Sequence, residues 1–426
     1  MVDTSPGKGQ TLAQKLIARA AGRARVDVGE IVTCKVDLAM FHDSSGPRRL
    51  QPMLEELGAG IWDKSRVVLV MDHYVPERDE TSRKIVRIAR DWAREQELPH
   101  VYDSQGICHV VLPQGGHITP GMFCVGGDSH SPTGGAFGAY MFGIGSTEML
   151  GVVVTGEIWV RVPETLRMHW SGRLSEGVTA KDMMLHMLAR FGMNGGAYQA
   201  VEFCGPAVRA LSMQERMTLS NMSAELGAQV GLIAPDATTV EWLADTGAKV
   251  PDIEGWETDD DAPCTRFDFD AGSLAPMVAA PHSPANSRPI GEYDRVPVHV
   301  AYIGACTGAK LDDLRAAAAV LRGRRVAPGV RLIVAPASVK DQEAARSEGV
   351  LQALLDAGGE LYPTSCGACS GYGNAVGDNV TVVSTTARNF KGRMGSPTAS
   401  VYLASPYTVA ASALRGYISD PREVLA

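Results

Sequence analysis

Three cysteines near the C-terminal end of the sequence have the chemistry to hold an iron–sulfur cluster. Cys306 lies in a Gly-Ala-Cys-Thr segment, and Cys366 and Cys369 form a CxxC pair. Three thiolates leave one iron of a four-iron cube with an open position, and an open iron can act on a substrate as a Lewis acid. A CxxC pair is also found in thiol-redox sites, half zinc sites and ordinary buried thiols, so the spacing alone leaves these alternatives open.

Asp and His side chains follow a predicted strand in the N-terminal part of the chain. The apolar run Val67–Met71 has the length of a strand buried on both faces, and Asp72 and His73 come directly after it. Ligands of open α/β sheets collect at the carboxyl ends of strands, so this pair is well placed for acid–base chemistry. A capping aspartate beside a surface histidine is the alternative that this segment leaves open.

A glycine-rich segment carries a second Asp and His. Residues 126–135 follow the short apolar stretch 122–125 and contain Asp128, Ser129 and His130 between flexible glycines. Such a backbone can approach a small anion closely. The segment lacks the ending of a nucleotide-binding P-loop, the GxGxxG fingerprint and the GxSxG frame of a nucleophile elbow. A small polar site is therefore predicted, with an ordinary glycine-rich turn as the weaker alternative.

Five further residues are ambiguous when each is taken alone. His109 fits a core histidine, while Asn221 and Glu225, four apart, fall on one face of a predicted helix. Arg388 and Arg393 follow the CxxC pair. Two guanidiniums beside a metal cluster suit a dicarboxylate, because arginine pairs bidentately with carboxylates. The alternative for Asn221 and Glu225 is a solvated helix face, and the alternative for the two arginines is a basic surface loop.

The elements that must position these residues follow an α/β pattern. A capping box at Thr11 and Gln14 predicts a helix through about Ala21, and a second helix is predicted over 81–95. Strands are predicted at 298–303, 330–335 and 382–384, and a helix over 311–321 makes the first two a βαβ unit. Mainly parallel sheets are therefore expected, in three α/β domains that cover residues 1–163, 164–275 and 276–426.

Composition narrows the class of protein. A chain of 426 residues with 45% hydrophobic and 21% charged residues predicts an ordinary multidomain globular protein. A net charge of −8 argues against a nucleic-acid-binding surface. No uncharged apolar run approaches the length of about 18 residues that a membrane span needs. The eight cysteines show no disulfide pattern, so a reducing compartment, the cytoplasm, is expected.

Together these segments resemble the aconitase superfamily, and within it the two-subunit hydro-lyases that include the 3-isopropylmalate dehydratases. The Gly-Asp-Ser-His-Ser segment, Cys306-Thr307, the CxxC pair and Arg-Asn-Phe-x-Gly-Arg occur in the order of that family. The similarity covers nearly the whole chain, which implies an aconitase-like α/β fold that lacks the swivelling fourth domain. The resemblance also favours the functional interpretation of most residues named above over the alternatives.

The resemblance implies a [4Fe-4S] cluster with one open iron, held by Cys306, Cys366 and Cys369. It implies dehydration of a hydroxy-diacid and rehydration of the alkene. The family's active-site positions fall on Asp72, His73, His109, Asp128, Ser129, His130, Asn221, Glu225, Arg388 and Arg393. The two Asp/His pairs would tune proton transfer to the leaving hydroxyl, Glu225 would lie near the iron-bound water, and the arginines would bind substrate carboxylates.

In the two-subunit branch, the swivel domain is a separate small subunit that supplies the serine base. The resemblance therefore implies such a partner, and little activity from this chain alone. Two positions depart from the family, which usually has Asn where this chain has Gly308 and Ala387. Loss of hydrogen bonds around a metal site can weaken metal binding about 10- to 100-fold, so a less protected iron or a different occupant is expected.

The expected substrate is a substituted malate, with isopropylmalate favoured. Maleate, citraconate, dimethylmalate and homocitrate or homoaconitate are the related alternatives. A non-catalytic, iron-sensing RNA-binding protein is a remote second class, against which the acidic balance argues. A zinc or thiol-redox protein that uses the CxxC pair is a third.

Overall fold

The computed structural model describes residues 9–373 and 376–425, and these residues form two compact units. The first unit comprises Met1–Asp103, Val111–Ser171 and Gly196–Phe269, and the second comprises Ser104–Val110, Gly172–Gly195 and Asp270–Ala426. The division into three domains at 163/164 and 275/276 stays a prediction. Among the described residues, no helix is long and apolar enough to cross a membrane.

The described elements alternate between strands and helices, which confirms the α/β class. The strands are β1 (Ile31–Lys35), β2 (Leu38–His42), β3 (Val67–Met71), β4 (His100–Asp103), β5 (Phe123–Gly126), β6 (Tyr140–Gly143), β7 (Glu157–Arg161), β8 (Thr165–Ser171), β9 (Ala200–Cys204), β10 (Val230–Leu232), β11 (Thr265–Asp270), β12 (Met277–Ala279), β13 (Ser287–Pro289), β14 (Val300–Ile303), β15 (Arg331–Val334), β16 (Gly359–Leu361), β17 (Thr381–Ser384) and β18 (Ser400–Ala404). The α-helices are α1 (Leu12–Ala20), α2 (Pro47–Leu57), α3 (Glu80–Glu95), α4 (Cys108–Gln114), α5 (Ser146–Thr155), α6 (Ala180–Phe191), α7 (Pro206–Arg209), α8 (Met213–Met222), α9 (Ala237–Ala244), α10 (Leu311–Leu321), α11 (Val339–Ser347), α12 (Val350–Asp356) and α13 (Pro406–Arg415). Short 3-10 segments cover Lys64–Arg66, Ser131–Phe137, Ala271–Ser273, Ile290–Glu292 and Pro421–Glu423.

A five-stranded parallel sheet in the order β4-β3-β2-β5-β6 organises the first unit. The predicted strand β3 is buried along its whole length, as its continuous apolar run requires. The helix predicted over 81–95 is α3, which begins one residue earlier because Asp79 caps it through the backbone N–H of Ser82. α1 begins at the predicted capping box of Thr11 and Gln14.

A smaller sheet in the order β10-β9-β8-β11 and an antiparallel ribbon of β1 and β7 complete the strands described in the first unit. α8 places Asn221 in its last turn but ends at Met222, so the prediction that Glu225 lies on the same helix is wrong. The Ser223 hydroxyl donates to the carbonyl of Ser220, and the N–H of Glu225 donates to the carbonyl of Met222. These turn-type bonds replace the helical ladder and hold Glu225 close to the helix end.

The second unit has a seven-stranded sheet in the order β13-β12-β18-β17-β14-β15-β16. Strands β18 to β16 in that order are parallel, whereas β12 pairs antiparallel with both β13 and β18. The predicted βαβ unit is β14-α10-β15, and α10 has the predicted bounds. β14 begins two residues later than predicted, β15 is one residue shorter at each end, and β17 begins one residue earlier. The carboxyl ends of β17, β14, β15 and β16 meet at one edge of this sheet.

Candidate active site

Three neighbouring strands of the first unit end in acidic and histidine side chains. β2 ends at His42 and is followed by Asp43, β3 is followed by Asp72 and His73, and β5 leads into the segment with Asp128. Because β3, β2 and β5 are adjacent and parallel, their carboxyl ends meet at one edge of the sheet. The structure thus brings these five side chains together, while their catalytic role stays a prediction.

His73 is held in its protonated form by three carboxylates. Its Nδ1 donates to Oδ1 of Asp72 at 2.7 Å, and its Nε2 lies 3.7 Å from Oδ2 of Asp128. Burial by itself lowers the pKa of His73, but the charge and hydrogen bond of Asp72, followed by the charges of Asp128 and Asp43, raise this pKa from 6.5 to about 9. A pKa of about 9 corresponds to a protonated ring at neutral pH, while a catalytic role for His73 stays a prediction.

His42 and Asp43 belong to the same cluster, and sequence reasoning missed them. The ring of His42 stacks on that of His73, with 3.9 Å between the centroids, and its Nε2 lies 3.5 Å from Oδ2 of Asp128. Asp43 accepts from the backbone N–H groups of His73 and Tyr74. Burial, followed by the charge of Asp72, raises the pKa of Asp43. The detectable signal was a His-Asp pair at a strand end, the same signal that identified Asp72 and His73.

The raised pKa of His73 opposes the binding of a metal ion by this cluster. Ligand atoms of His42, Asp43, Asp72 and His73 all lie within 4.8 Å of one another, which is close enough for a cation. A metal ligand must be a neutral imidazole, however, and the pKa of His73 is raised to about 9. A cation would therefore have to displace a proton that three carboxylates stabilise.

His130 is buried between Asp128 and Glu225. Its backbone N–H donates to Oδ1 of Asp128 at 2.8 Å, and its Nε2 lies 3.0 Å from Oε1 of Glu225. Asn221 donates from Nδ2 to the hydroxyl of Thr133 at 2.8 Å, and Thr133 in turn donates to the carbonyl of His130. The predicted residues Asn221 and Glu225 therefore reach the same loop by different routes.

The glycines of segment 126–135 serve packing inside the first unit. A Cβ at Gly126 would overlap the hydroxyl of Ser131, and one at Gly135 would overlap the carbonyl oxygen of Gly231. These close approaches account for two of the glycines without a bound anion. Ser129 is exposed between them, and its role in substrate binding stays a prediction.

Cys306 lies in a buried loop that follows β14 in the second unit. Ala305 holds a left-handed backbone with φ of +70°, which costs a residue with a Cβ about 1 kcal/mol. The loop is fixed by the ammonium of Lys310, which donates to the carbonyl of Cys306 at 3.0 Å and to Asp313 at 2.7 Å. Lys310 is fully buried. A positive charge therefore lies beside this cysteine.

A second buried ammonium joins the Cys306 loop to the segment before Arg388. Lys181 donates from Nζ to Thr307 Oγ1 at 3.2 Å and to the carbonyls of Thr385 and Thr386, both at 2.6 Å. These three bonds all go to neutral oxygens, and the charge of Lys181 also opposes the increase that burial causes in the pKa of the neighbouring Asp182. No spacing rule connects Lys181 to a cysteine so far along the chain, and the sequence analysis missed it.

The structure leaves no room for a side chain at position 308. A Cβ at Gly308 would overlap the Cβ and the hydroxyl of Thr385. Thr385 accepts from the backbone N–H of Gly304 at 2.9 Å and donates to the carbonyl of Gly304 at 2.8 Å. The side chain of Thr385 therefore occupies the space that a residue larger than glycine would need at position 308.

The remaining predicted residues of the second unit also follow strand ends. Cys366 and Cys369 come after β16, and Nη2 of Arg393 lies 4.0 Å from Sγ of Cys369. Arg388 comes after β17. The segment with His109 bonds to the loop after β15, where the N–H of Ile107 donates to the carbonyl of Ala337 at 2.8 Å. The predicted residues thus divide into one set in each unit.

The cysteines of the second unit fit an iron–sulfur cluster better than a single zinc ion. In the part of the chain that the structure describes, none of the eight cysteines forms a disulfide. In a tetrahedral zinc site the ligand sulfurs lie about 4 Å apart, because each Zn–S bond is about 2.3 Å. Within the described residues, the three cysteines do not form a group with all ligand atoms within 4.8 Å. A cube binds each thiolate to a different iron, so it spans a wider set of sulfurs, and the cations near these cysteines suit its negative charge.

Comparison with known proteins decides the family. The model of the aconitase family (aconitate hydratase) matches residues 14–297 and 291–416. The chain belongs to the aconitase family. This membership confirms the resemblance derived from the motifs. The roles of the individual residues at the strand ends of the two units stay predictions.

Curated members of the aconitase family resemble the chain over nearly its whole length. A protein of Methanopyrus kandleri named 3-isopropylmalate dehydratase large subunit 1 is 42% identical over 98% of this chain and 100% of its own length. A 3-isopropylmalate dehydratase large subunit of Desulfatibacillum aliphaticivorans is 39% identical over 98% of this chain and 100% of its own. A probable 3-isopropylmalate dehydratase large subunit of Methanothermobacter thermautotrophicus is 41% identical over 96% and 98%.

A solved structure supports the aconitase-like fold. Holo aconitase X of Thermococcus kodakaraensis matches with a TM-score of 0.50 over 85% of this chain and 88% of that chain, at 12% identity. This likeness concerns the fold alone. It agrees with the mainly parallel sheets of the two units.

Proposed function

We propose that this chain is the large subunit of a hydro-lyase that dehydrates a substituted malate and rehydrates the alkene, most simply 3-isopropylmalate. Relatives with that name are about 40% identical to it over nearly their full length. The observation in the chain that supports the proposal best is His73, whose pKa is raised to about 9 at the end of a buried strand. Dehydration near neutral pH needs such a donor, because hydroxide is a poor leaving group.

Cys306, Cys366 and Cys369 are the residues that would hold the cofactor, a [4Fe-4S] cluster with one open iron. When bound, the cluster supplies a Lewis acid that takes charge from the departing hydroxide. Three thiols leave one iron for the substrate, and the cations Lys181, Lys310 and Arg393 lie near the cysteine segments or bond to them.

The other predicted residues bind the substrate and move protons in this proposal. His73 donates to the departing oxygen, and Asp72 keeps Nδ1 of His73 protonated and fixes the ring. Glu225 orients His130 through the bond to Nε2. The substrate-binding residues are Ser129, Asn221, Arg388 and Arg393, and the two arginines suit the carboxylates of a diacid. His109 is a further acid–base candidate.

A separate small subunit is part of the proposal, because the relatives are named large subunits. That chain would contribute the catalytic base, and we expect little turnover without it. The related acids maleate, citraconate, dimethylmalate and homocitrate or homoaconitate are the alternative substrates, because specificity would rest partly on the partner. A cytoplasmic location is likewise a proposal from the sequence.

The test combines metal analysis with a substrate panel. The chain is purified anaerobically, its iron and sulfide are measured, and isopropylmalate and the related acids named above are assayed with and without a candidate small subunit. We expect about four iron and four sulfide per chain, and isopropylmalate turnover only in the presence of the partner. Stoichiometric zinc without iron would refute the cluster, and full turnover by the isolated chain would refute the partner.

A further inference from the structure

Tyr302 lies immediately before the cysteine loop and is fully buried. It is the third residue of β14, and its ring folds forward over the next turn of chain. A Cβ at Gly304 would overlap Cε1, Cζ and the hydroxyl of Tyr302. Gly304 therefore allows the ring and the hydroxyl to lie against the backbone that leads to Cys306.

The hydroxyl of Tyr302 has no hydrogen-bond acceptor among the described residues. Most buried polar side-chain atoms in folded proteins are paired, so an orphan of this kind calls for an acceptor that the polypeptide itself does not supply. The tyrosine cannot turn to solvent, since its side chain is enclosed on all sides by the unit. A hydroxyl can donate to any acceptor atom with a lone pair, and sulfur is one such acceptor.

The surroundings of the hydroxyl identify that acceptor by its chemistry. Burial raises the pKa of Tyr302, and the next causes are the negative charges of Cys369 and Cys366, with a smaller contribution from Cys306. All three predicted cluster ligands therefore act on this one hydroxyl. The hydroxyl is thus within electrostatic range of these cysteines and bonds to no group among the described residues, which fits an acceptor supplied by the cluster.

The side chains at two nearby positions cannot supply an equivalent donor. Gly308 has no side chain, and Thr385 fills the space beside it. Ala387 is buried and apolar. Positions 308 and 387 therefore carry no side-chain amide, whereas Tyr302 has a hydroxyl that can donate a hydrogen bond.

We propose that the Tyr302 hydroxyl donates a hydrogen bond to a sulfur of the iron–sulfur cluster and thereby holds the cluster and raises its reduction potential. The proposal rests on the proposed function, because it needs the cluster. A hydrogen bond to sulfur stabilises the more negative, reduced cluster, so its loss lowers the potential. Tyr302 is a positioning residue in this account and does not touch the substrate.

The test is the variant Tyr302→Phe, which removes the hydroxyl and keeps the ring. Both proteins are reconstituted anaerobically, and iron and sulfide are measured first. We expect the loaded variant to have a more negative midpoint potential in a dithionite titration and to lose iron in air about 10-fold faster. In wild type, the Fe–S stretching bands of the resonance Raman spectrum should shift when H₂O is replaced by D₂O. This deuterium shift should be smaller in Tyr302→Phe.

The urea resistance of the apoprotein separates this role from a purely structural one, which predicts that Tyr302→Phe lowers that resistance. Removal of an unpaired buried hydroxyl leaves the apo form equally or more resistant to urea, while the loaded form becomes less durable. The matched control is Tyr293→Phe in the same unit, because the hydroxyl of Tyr293 donates to the carbonyl of Val278 at 2.9 Å. This control should leave potential, iron loss and Raman bands unchanged.

The outcomes separate this proposal from the proposed function. Absence of iron and sulfide in wild type refutes both the cluster and the role of Tyr302. A cluster that is present in both proteins with the same potential, iron loss and deuterium shift refutes the role of Tyr302 alone. Lower urea resistance of the apo variant would also refute it, since Tyr302 would then stabilise the fold.

Discussion

Replacement of Asp72 by Asn tests whether the carboxylates around His73 control its charge. The raised pKa of His73, from 6.5 to about 9, corresponds to about 3 kcal/mol of preferential stabilisation of the charged ring. Because the folded pKa lies above the unfolded one, this stabilisation is complete below about pH 6.5 and is lost as the pH rises through about 9. Asp72 contributes most to the increase, so Asp72→Asn should lower the pKa of His73 clearly below about 9.

Two measurements check this prediction. Side-chain NMR of ¹³C-labelled histidine, with His73 assigned through His73→Gln, gives its pKa directly. Urea unfolding between about pH 6 and about pH 10 gives the pH dependence of the free energy of unfolding, which should be weaker in Asp72→Asn than in wild type.

The control is Asp91→Asn, a change at a partly exposed residue of α3 that pairs with Arg94 on the same helix and should leave the pKa of His73 and the pH dependence as in wild type. A wild-type His73 that titrates near 6.5, or an Asp72→Asn protein with an unchanged His73 pKa, would contradict the proton-donor role.

Two further predictions concern other buried polar contacts. Glu225→Gln should lower turnover in the presence of the small subunit by about 100-fold or more, because it weakens the orientation of His130. Its melting temperature should stay close to wild type, the exposed Glu241→Gln should be fully active, and a fully active Glu225→Gln would refute the role. Lys181→Met should lower the free energy of unfolding by about 3 kcal/mol in urea, because the carbonyls of Thr385 and Thr386 lose their shared donor. The exposed Lys340→Met should have no such effect, and equal stability of the two variants would exclude a stabilising role for Lys181.

The elements that the sequence predicted well have strong local signals. α1 begins at a reciprocal capping box, and α10 lies between two apolar strands with a connection that favours one parallel arrangement. β3 is a continuous apolar run of strand length. The helix end before Glu225 was predicted wrongly because turn-type bonds made by Ser223 compete with the helix, and periodicity does not report such bonds.

Only those residues of the candidate site that belong to sequence motifs were predictable. The cysteines, the Asp/His pairs and the arginines have recognisable spacing, whereas Lys181 and Tyr302 owe their importance to partners far along the chain. His42 lies between these cases, since its stacking on His73 depends on the order of the strands. A side chain whose role is set by tertiary neighbours leaves no trace in local composition.

The close packing of Gly308 against Thr385 makes these two positions interdependent in evolution and in design. An asparagine introduced at 308 alone would meet the Cβ and hydroxyl of Thr385, so that step should first reduce fitness. A smaller residue at 385 would open the space but would give up the bonds of Thr385 to both the N–H and the carbonyl of Gly304. Each single step is therefore unfavourable from the present sequence, and an amide beside Cys306 becomes accessible only through a paired change.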